Sequence, residues 1–448
     1  MPCLSRASLT HLPIWDTGPK FSLDRVPPPP PIESIDWQSK SMTGGGWNMR
    51  IRTWIAAGVA GAAVAPACAQ SSVTLYGTVD TGIIYSTNQQ FTRADGSVSS
   101  GHAWQMGGGN LVPSRWGLQG AETLGGGLKA VFALEQQFLS ANGQALQGGA
   151  AFSRQAWVGL RHDAYGTLGL GRQYDSYTDT LGAYVSSNSW ATPYGSHLGD
   201  VDNLNAAFNF NNAVKFTSAD FHGLTFGGTF SFGGQAGDFS ARRGYSVAVA
   251  YNRAPVSFGI GYLNLRRPLD AALGGASGYI GDFACSNAGA MYCLLQDAAS
   301  MKAFGVGGSI AFGDATVALT YTHTRLDDSA YFATSAHPQR ASIAFDIAEL
   351  NATYAFTPML RAGVAYIFNN AKTDSRGTTR FHQLNVGANY SLSKRTALYA
   401  VAIGQIASGR GLGTDANGAP ANYAQIPVLA NSNSNRQLAM MAGVKVDF

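Results

Sequence analysis

Charged residues are scarce in this chain, since Asp, Glu, Lys and Arg make up 12% of its 448 residues. Globular domains usually contain roughly 25%. Hydrophobic residues account for 45%. A disordered chain combines high net charge with few apolar residues, so this composition excludes a disordered protein. A coiled coil is also excluded, because Ala, Glu, Lys and Leu do not dominate.

Long hydrophobic runs are missing as well. The longest runs from Trp54 to Ala67 and contains Pro66, which is too short for a spanning helix of about 20 residues. The apolar residues are instead dispersed over many short segments, and this dispersion indicates strands.

The first 69 residues differ from the rest of the chain. Residues 1–48 include five successive prolines, Pro27–Pro31, which could form a polyproline II recognition segment. We favour a mis-annotated, non-native extension with translation starting at Met49. From there, two arginines, an apolar core and the small-residue site Ala67–Ala69 are typical of a signal peptide over 49–69. Cys68 could instead carry a lipid anchor, but Ala65 stands where a larger aliphatic residue is preferred.

A basic excess is lacking too. Removal of residues 1–69 leaves 24 basic and 22 acidic residues in the mature chain, 70–448, a net charge of +2. Nucleic-acid binding would therefore lack its main electrostatic contribution, and no nucleic-acid partner is expected.

Cysteine is nearly absent from the mature chain. Cys285 and Cys293 remain, eight positions apart, with no His or acidic cluster beside them. In an exported protein this spacing favours a loop disulfide over a metal site. No cofactor and no metal are expected.

What the chain does contain is alternation with a period of two. In Gln383–Leu392 the even positions are apolar, while the odd positions are polar or small. This pattern is typical of strands with one apolar face. About sixteen such strands are expected, near 72–85, 114–121, 128–138, 152–162, 166–172, 207–218, 224–232, 244–253, 256–266, 302–312, 315–325, 342–356, 360–370, 381–392, 396–407 and 437–448.

Tight and long connections alternate between these strands. The long ones are expected near 86–113, 139–151, 173–206, 233–243, 267–301, 326–341, 371–380 and 408–436. This pattern predicts an antiparallel meander with all long loops at one end. A soluble sandwich or propeller would need a charged exterior, whereas the second face here is Gly, Ser, Thr and Asn. The sequence therefore predicts an all-β, sixteen-stranded antiparallel transmembrane β-barrel in the outer membrane, wide enough to hold water.

The chain ends on an alternating apolar strand whose last residue is Phe448. A terminal aromatic of this kind is what the barrel-assembly machinery recognises in known outer-membrane barrels. We therefore expect that machinery to be a partner during biogenesis.

Six motifs resemble those of Gram-negative general porins, specifically the β-proteobacterial branch. They are Ser72–Gly77 (SVTLYG), Ser114–Gly120 (SRWGLQG), Leu124–Ala130 (LGGGLKA), Phe152–Leu160 (FSRQAWVGL), Gly169–Asp175 (GLGRQYD) and Gly443–Phe448 (GVKVDF). The resemblance spans 70–448 and implies a homotrimer, in contact with outer-membrane lipid and lipopolysaccharide, that passively conducts small hydrophilic solutes and ions. It also implies that the third long loop, about 174–205, folds into the barrel.

The resemblance further implies a pore constriction. Its acidic residues would be Glu135 on the barrel wall and Asp175, Asp179, Asp200 and Asp202 in the third loop. Its basic wall would carry Arg115 and Arg154, which match family motifs, together with Arg172 and Lys215. Arg172 shares parity with the lipid-facing Leu170, so it must follow a bulge or a strand end. A further family arginine before the sixth strand is absent, and Asn209 and Asn211 occupy that neighbourhood.

The net charge and the wall arginines predict a weak anion preference. No catalytic constellation is evident, and the nearest approach to a barrel protease is His323 with Asp327 and Asp328. The sequence is also consistent with loops that bind a host or phage surface, and with a solute-specific pore. A sugar-specific pore would use aromatic residues of the third loop, namely Tyr174, Tyr177, Tyr184 and Trp190.

Overall fold

The computed structural model describes residues 71–146, 150–267, 277–279, 298–329, 340–374, 376–414 and 420–448. The expected extension 1–48, the signal peptide 49–69, and Cys285 and Cys293 with their predicted disulfide lie outside the described residues.

Antiparallel strands make up nearly all of the described chain. They are β1 Ser71–Thr92, β2 Val98–Gly108, β3 Arg115–Gly125, β4 Leu128–Gln137, β5 Gln155–His162, β6 Gly166–Gln173, β7 Phe208–Ser218, β8 Leu224–Ser231, β9 Gly244–Arg253, β10 Val256–Arg266, β11 Ser277–Tyr279, β12 Ser300–Phe312, β13 Ala315–Ser329, β14 Ala341–Ala355, β15 Leu360–Thr373, β16 Gly377–Ser391, β17 Thr396–Gly409, β18 Gly413–Thr414, β19 Pro420–Ala421 and β20 Arg436–Asp447. One α-helix, α1, spans Ser176–Leu181. Within the described residues, no helix is long and apolar enough to cross a membrane.

The sheet closes on itself through β1. One edge of β1 pairs with β20, with Thr78 opposite Asp447, and the backbones of Gly77 and Phe448 exchange hydrogen bonds of 3.1 and 3.0 Å. The other edge pairs first with β3 and then with β2, which lie end to end along it. Because β2 and β3 share one position and the short β11 only adds to β7, the barrel has sixteen strands, as the sequence predicts.

The outer face is apolar, as the alternation predicts. On β16, Leu384 and Val386 are about half exposed, whereas the intervening Gln383 and Asn385 are buried inside. Exposed tyrosines lie at two levels of the outer face: Tyr354 lies at the tight-turn end of β14, and Tyr366 lies at the middle of β15, nearer the long loops. An apolar band with aromatic borders is typical of a transmembrane barrel.

Two of the expected long loops are wrong. Most of 86–113 is a hairpin, because β1 continues to Thr92 and pairs with β2, with Thr92 opposite Val98. Likewise, β15 and β16 extend to Thr373 and Gly377, which are paired, so the connection near 371–380 is a tight turn. Tight and long connections therefore do not alternate strictly.

The interior is less polar than expected. Ile343, Phe345 and Ile347 of β14 point inward and are fully buried. They pack in one apolar cluster with Leu181 and Leu198 of the segment between β6 and β7. That segment, residues 174–207, is named the inward loop below. Its apolar packing explains why the lumen wall near the long-loop end is not uniformly hydrophilic.

Candidate functional site

The inward loop begins with α1 and is closed on itself by one carboxylate. The Asp175 side chain accepts hydrogen bonds from the backbone N–H groups of Tyr177 and Thr178, at 2.9 and 3.1 Å. It thereby caps the N-terminus of α1. Asn203, near the other end of the loop, donates to the second Asp175 oxygen at 3.1 Å. Asp175 therefore fixes both ends of the loop together.

A buried histidine bonds the loop to the barrel wall. His197 Nδ1 lies 2.6 Å from Asp202 Oδ2, and its Nε2 lies 3.0 Å from Glu349 Oε2 of β14. Burial alone would lower the pKa of His197, but the two carboxylates outweigh it and raise the pKa to about 10. Thr322 of β13 also donates to Asp202, at 2.7 Å. The histidine is thus held as a cation between loop and wall.

Amide and carboxylate side chains of β14 and β16 bond the loop backbone. Glu349 accepts a hydrogen bond from Ser186 N at 2.6 Å, and Asn351 donates to Tyr184 O at 2.9 Å. Asn385 donates to Gly195 O at 2.8 Å. These side chains satisfy backbone groups that the irregular loop cannot pair internally. The inner face of β13–β16, the anchoring wall, is therefore occupied by the loop.

Small residues let an indole ring pack against the same wall. Trp190 is 3% exposed, and its Cε2 atom lies 2.4 Å from where a Cβ would stand on Gly363. Gly387 on the next strand also faces the ring. Glycine at these positions allows the close approach.

Arginines and one glutamate form a cluster on the opposite wall. Arg154 Nε lies 2.7 Å from Glu135 Oε1, and Arg115 Nε lies 3.6 Å from Glu135 Oε2. Tyr76 donates its phenolic O–H to the same carboxylate at 3.0 Å. The Arg154 guanidinium also stacks over the Tyr174 ring, 5.4 Å from its centroid. The structure thus brings Arg115, Arg154 and Glu135 together.

Arg172 reaches the same wall through a bulge. The pairing register of β6 with β7 shifts between Gly171 and Gln173, and Gly171 has a φ of +131°. Arg172 then donates from Nε to Ser153 O at 2.6 Å. It also donates to Asn211 at 2.5 Å. This bulge is the irregularity that the parity of Arg172 requires.

Lys215 of β7 points inward but is paired. Its Nζ atom forms an ion pair with Asp179 and donates to Tyr174 O at 2.9 Å. The pair joins the start of the inward loop to β7 and leaves no net charge at that point.

The other loop carboxylates do not face an open lumen. Asp175 and Asp202 are 0% exposed and Asp200 is 3% exposed. Asp200 accepts backbone hydrogen bonds from Asn205 and Ala207, at 2.8 and 2.9 Å, while burial and the nearby Asp202 raise its pKa. The expected arrangement of loop carboxylates facing a basic wall is therefore corrected. Among the described residues, Asp179 is the one loop carboxylate that meets a basic side chain of that wall, because Asp175, Asp200 and Asp202 hold the loop together.

The aromatic residues of the loop are also internal. Tyr174, Tyr184 and Trp190 are each 3% exposed, and Tyr177 is fully buried. Their ring faces are covered by protein, so they offer no stacking surface for a sugar.

Several residues that position the site were missed from the sequence. Glu349 and His197 lie far apart in the chain, and only the inward parity of Glu349 could have drawn attention to it. Residues 424–432 of the last long connection are a second inward segment, with Ile426 and Leu429 buried beside Tyr194. No cluster of three or more His, Cys, Asp or Glu residues able to hold a metal ion occurs in the described part of the chain.

Comparisons with known proteins agree with this geometry. The sequence pattern of the Gram-negative porin family matches residues 55–406. An outer membrane porin protein of Bordetella pertussis is 31% identical over 77% of this chain and 90% of its own. Outer membrane porin protein 32 of Delftia acidovorans is 28% identical over 75% of this chain and 85% of its own.

Solved structures show the same fold. A porin from Comamonas acidovorans has a TM-score of 0.61 at 22% identity and covers 85% of this chain and 100% of its own. The trimer form of OmpT, an outer membrane protein of Vibrio cholerae, has a TM-score of 0.53 at 14% identity, with 84% of this chain and 99% of its own covered.

A closed barrel with an apolar exterior, a charged inner wall and a loop folded inside defines a channel of the outer membrane. The chain belongs to the Gram-negative porin family. It is a porin that forms a water-filled channel for the passive diffusion of small hydrophilic solutes.

Proposed function

We propose that this porin weakly prefers anions, and that the preference arises at the cluster of Arg115, Arg154, Arg172 and Glu135. The observation that supports it is the charge of this cluster. Arg115 and Arg154 both pair with Glu135, and Arg172 bonds the backbone of Ser153 next to Arg154, while Lys215 is neutralised by Asp179. The cluster therefore carries a net charge of +2.

The expected preference is small. A unit charge about 10 Å from a permeating ion contributes about 0.4 kcal/mol in water, or roughly a twofold change in local concentration. Salt screens this effect, since the Debye length falls to about 3 Å at 1 M. A weak and salt-dependent preference follows. The Comamonas acidovorans porin is named anion-selective, which supports the same sign here.

The channel is proposed to be a homotrimer and to catalyse no reaction. The trimer form of the Vibrio cholerae protein supports this assembly. We further propose that residues 49–69 are cleaved as a signal peptide, and that Cys285 and Cys293 form a disulfide in the mature chain. Phe448 would act as the recognition residue for the assembly machinery, and the exterior would contact lipopolysaccharide.

Planar-bilayer recording of the refolded mature chain, 70–448, tests this proposal. Stepwise insertions in threes, with ohmic conductance rising with salt, are expected for a trimeric channel. Single-step insertions would contradict the trimer. A folded barrel without conductance would contradict the channel and favour a role of the long loops in binding.

A further inference from the structure

The outer face of the barrel carries a row of basic residues on successive strands. In the backbone register, Lys302 of β12 lies opposite Arg325 of β13. Arg325 in turn lies opposite Ala344 of β14. Ala344 lies opposite Lys372 of β15. Thr378 of β16 lies next to Lys372, and Arg410 follows, because its N–H donates to Thr378 O at 3.0 Å. All of these residues lie at the long-loop end.

Three cations surround Thr378 on this row. Lys372 and Arg410 flank Thr378 on the two neighbouring strands, about 5 Å away on each side. Arg380 lies two residues further along β16, on the same face. All three are exposed. We call Lys372, Arg380 and Arg410 the Thr378 patch.

The acidic groups nearby are already engaged with other residues. Asp327 pairs with Lys302 at 2.8 Å and with Arg325 at 2.7 Å. Asp346 accepts from His323 and Tyr321, at 2.8 and 2.9 Å, and Asp374 lies 3.9 Å from Arg325.

None of the ion pairs in the described ranges involves the Thr378 patch. Within the part of the chain that the structure describes, these three exposed cations therefore have no ion-pair partner.

The position of the patch identifies what faces it. Phe368 and His382 lie directly below it on the outer face, with Tyr366 OH 2.6 Å from His382 Nδ1, and Leu384 and Val386 continue into the apolar band. Aromatic residues border the hydrocarbon region. The patch therefore lies at the level of the headgroups of the outer leaflet, and it points away from the lumen.

We propose that the Thr378 patch is a binding site for the phosphate groups of an outer-leaflet glycolipid. This proposal deepens the lipopolysaccharide contact proposed above and gives it a location. Phosphate fits the patch because guanidinium and ammonium groups form charge-assisted hydrogen bonds with its oxygens, and Thr378 offers a hydroxyl at the centre. Basic residues at this level attract anionic headgroups, each contributing roughly a fivefold factor in affinity.

The test uses the purified, folded full-length mature protein and two probes, bisphosphorylated lipid A and the same lipid A without its phosphates. Retention of bound lipid is measured by native mass spectrometry across a concentration series. The variant Lys372→Ser, Arg380→Ser, Arg410→Ser is compared with a control, Arg253→Ser, Lys394→Ser, Arg395→Ser. The control removes the same charge from exposed positions at the tight-turn end.

We expect the patch variant to bind bisphosphorylated lipid A on the order of 100-fold more weakly, and the control to bind it like the unaltered protein. Phosphate-free lipid A should not distinguish the three proteins. Equal binding by patch variant and control would overturn the proposal, as would displacement of lipid A by inorganic phosphate alone at matched ionic strength.

Bilayer conductance, recorded in parallel, separates this proposal from the proposed channel properties. The patch lies outside the lumen, so the patch variant should conduct and select ions like the unaltered protein. If the unaltered protein conducts ions but does not bind lipid A, the lipid-binding site is rejected and the proposed channel properties are not.

Discussion

The two sides of the lumen use polar residues in different ways. On the anchoring wall, inward side chains such as Glu349, Asn351 and Asn385 bond the inward loop. On the opposite wall, Arg115, Arg154 and Glu135 bond one another, and Arg115 keeps 23% of its side chain exposed. The side chains of the first wall therefore hold the inward loop in place, and those of the second wall form a charged cluster of their own.

The largest effect is expected from removing the carboxylate of the anchoring wall. Glu349→Leu leaves the buried His197 cation with one carboxylate partner and leaves the N–H of Ser186 without its hydrogen-bond acceptor. We therefore expect a loss of about 3 kcal/mol in the free energy of unfolding. Urea titration of the folded barrel measures it. Asp346→Ala on the outer face of the same strand is the control, since its exposed contacts should cost less than about 1 kcal/mol. Equal losses would show that Glu349 does not anchor the loop.

The charge of His197 should make the anchoring wall sensitive to alkali. Because its folded pKa is raised to about 10, its contribution is complete below the unfolded value of about 6.5 and is lost as pH rises through 10. The slope between these limits is at most about 1.4 kcal/mol per pH unit. His197→Gln should flatten the fall of unfolding free energy between pH 7 and 10. An unchanged slope in this variant would refute a charged His197.

A smaller effect is expected from filling the space under Trp190. A Cβ on Gly363 would meet the indole at 2.4 Å, so Gly363→Val should displace the loop and cost about 2 kcal/mol. Gly404→Val is the matched control, because nothing lies within 4 Å of its Cβ position. Protease cleavage within 174–207 should rise in the first variant only, and cleavage in both or neither would argue against this packing.

Much of the fold could be predicted from residue parity. Alternation identified the lipid face of β16, and the parity of Arg172 required either a strand end or a bulge, of which the register of β6 and β7 contains the bulge. These features depend on local sequence, because successive side chains on a strand point to opposite faces.

Features that depend on contacts distant in sequence were not predictable in this way. The side chains of Ile343, Phe345 and Ile347 face inward, although their apolar character alone would assign them to the lipid face, because the inward loop covers them. The hairpin of β1 and β2 was not predicted, because the outer face of β2 includes Gly and Ser. These residues interrupt the apolar alternation by which the other strands were identified. The three loop carboxylates were assigned to the lumen because a sequence does not show which backbone groups they accept from.

The central claim is that the net charge of the arginine cluster sets ion preference, and the reversal potential under a tenfold KCl gradient tests it most directly. The unaltered channel should give the anion sign. Arg115→Gln with Arg154→Gln lowers the cluster charge from +2 to 0 and should bring the potential close to zero. Arg154→Gln with Glu135→Gln keeps +2 and should retain the anion sign. A cation sign in the unaltered protein, or equal potentials in all three, would contradict the account.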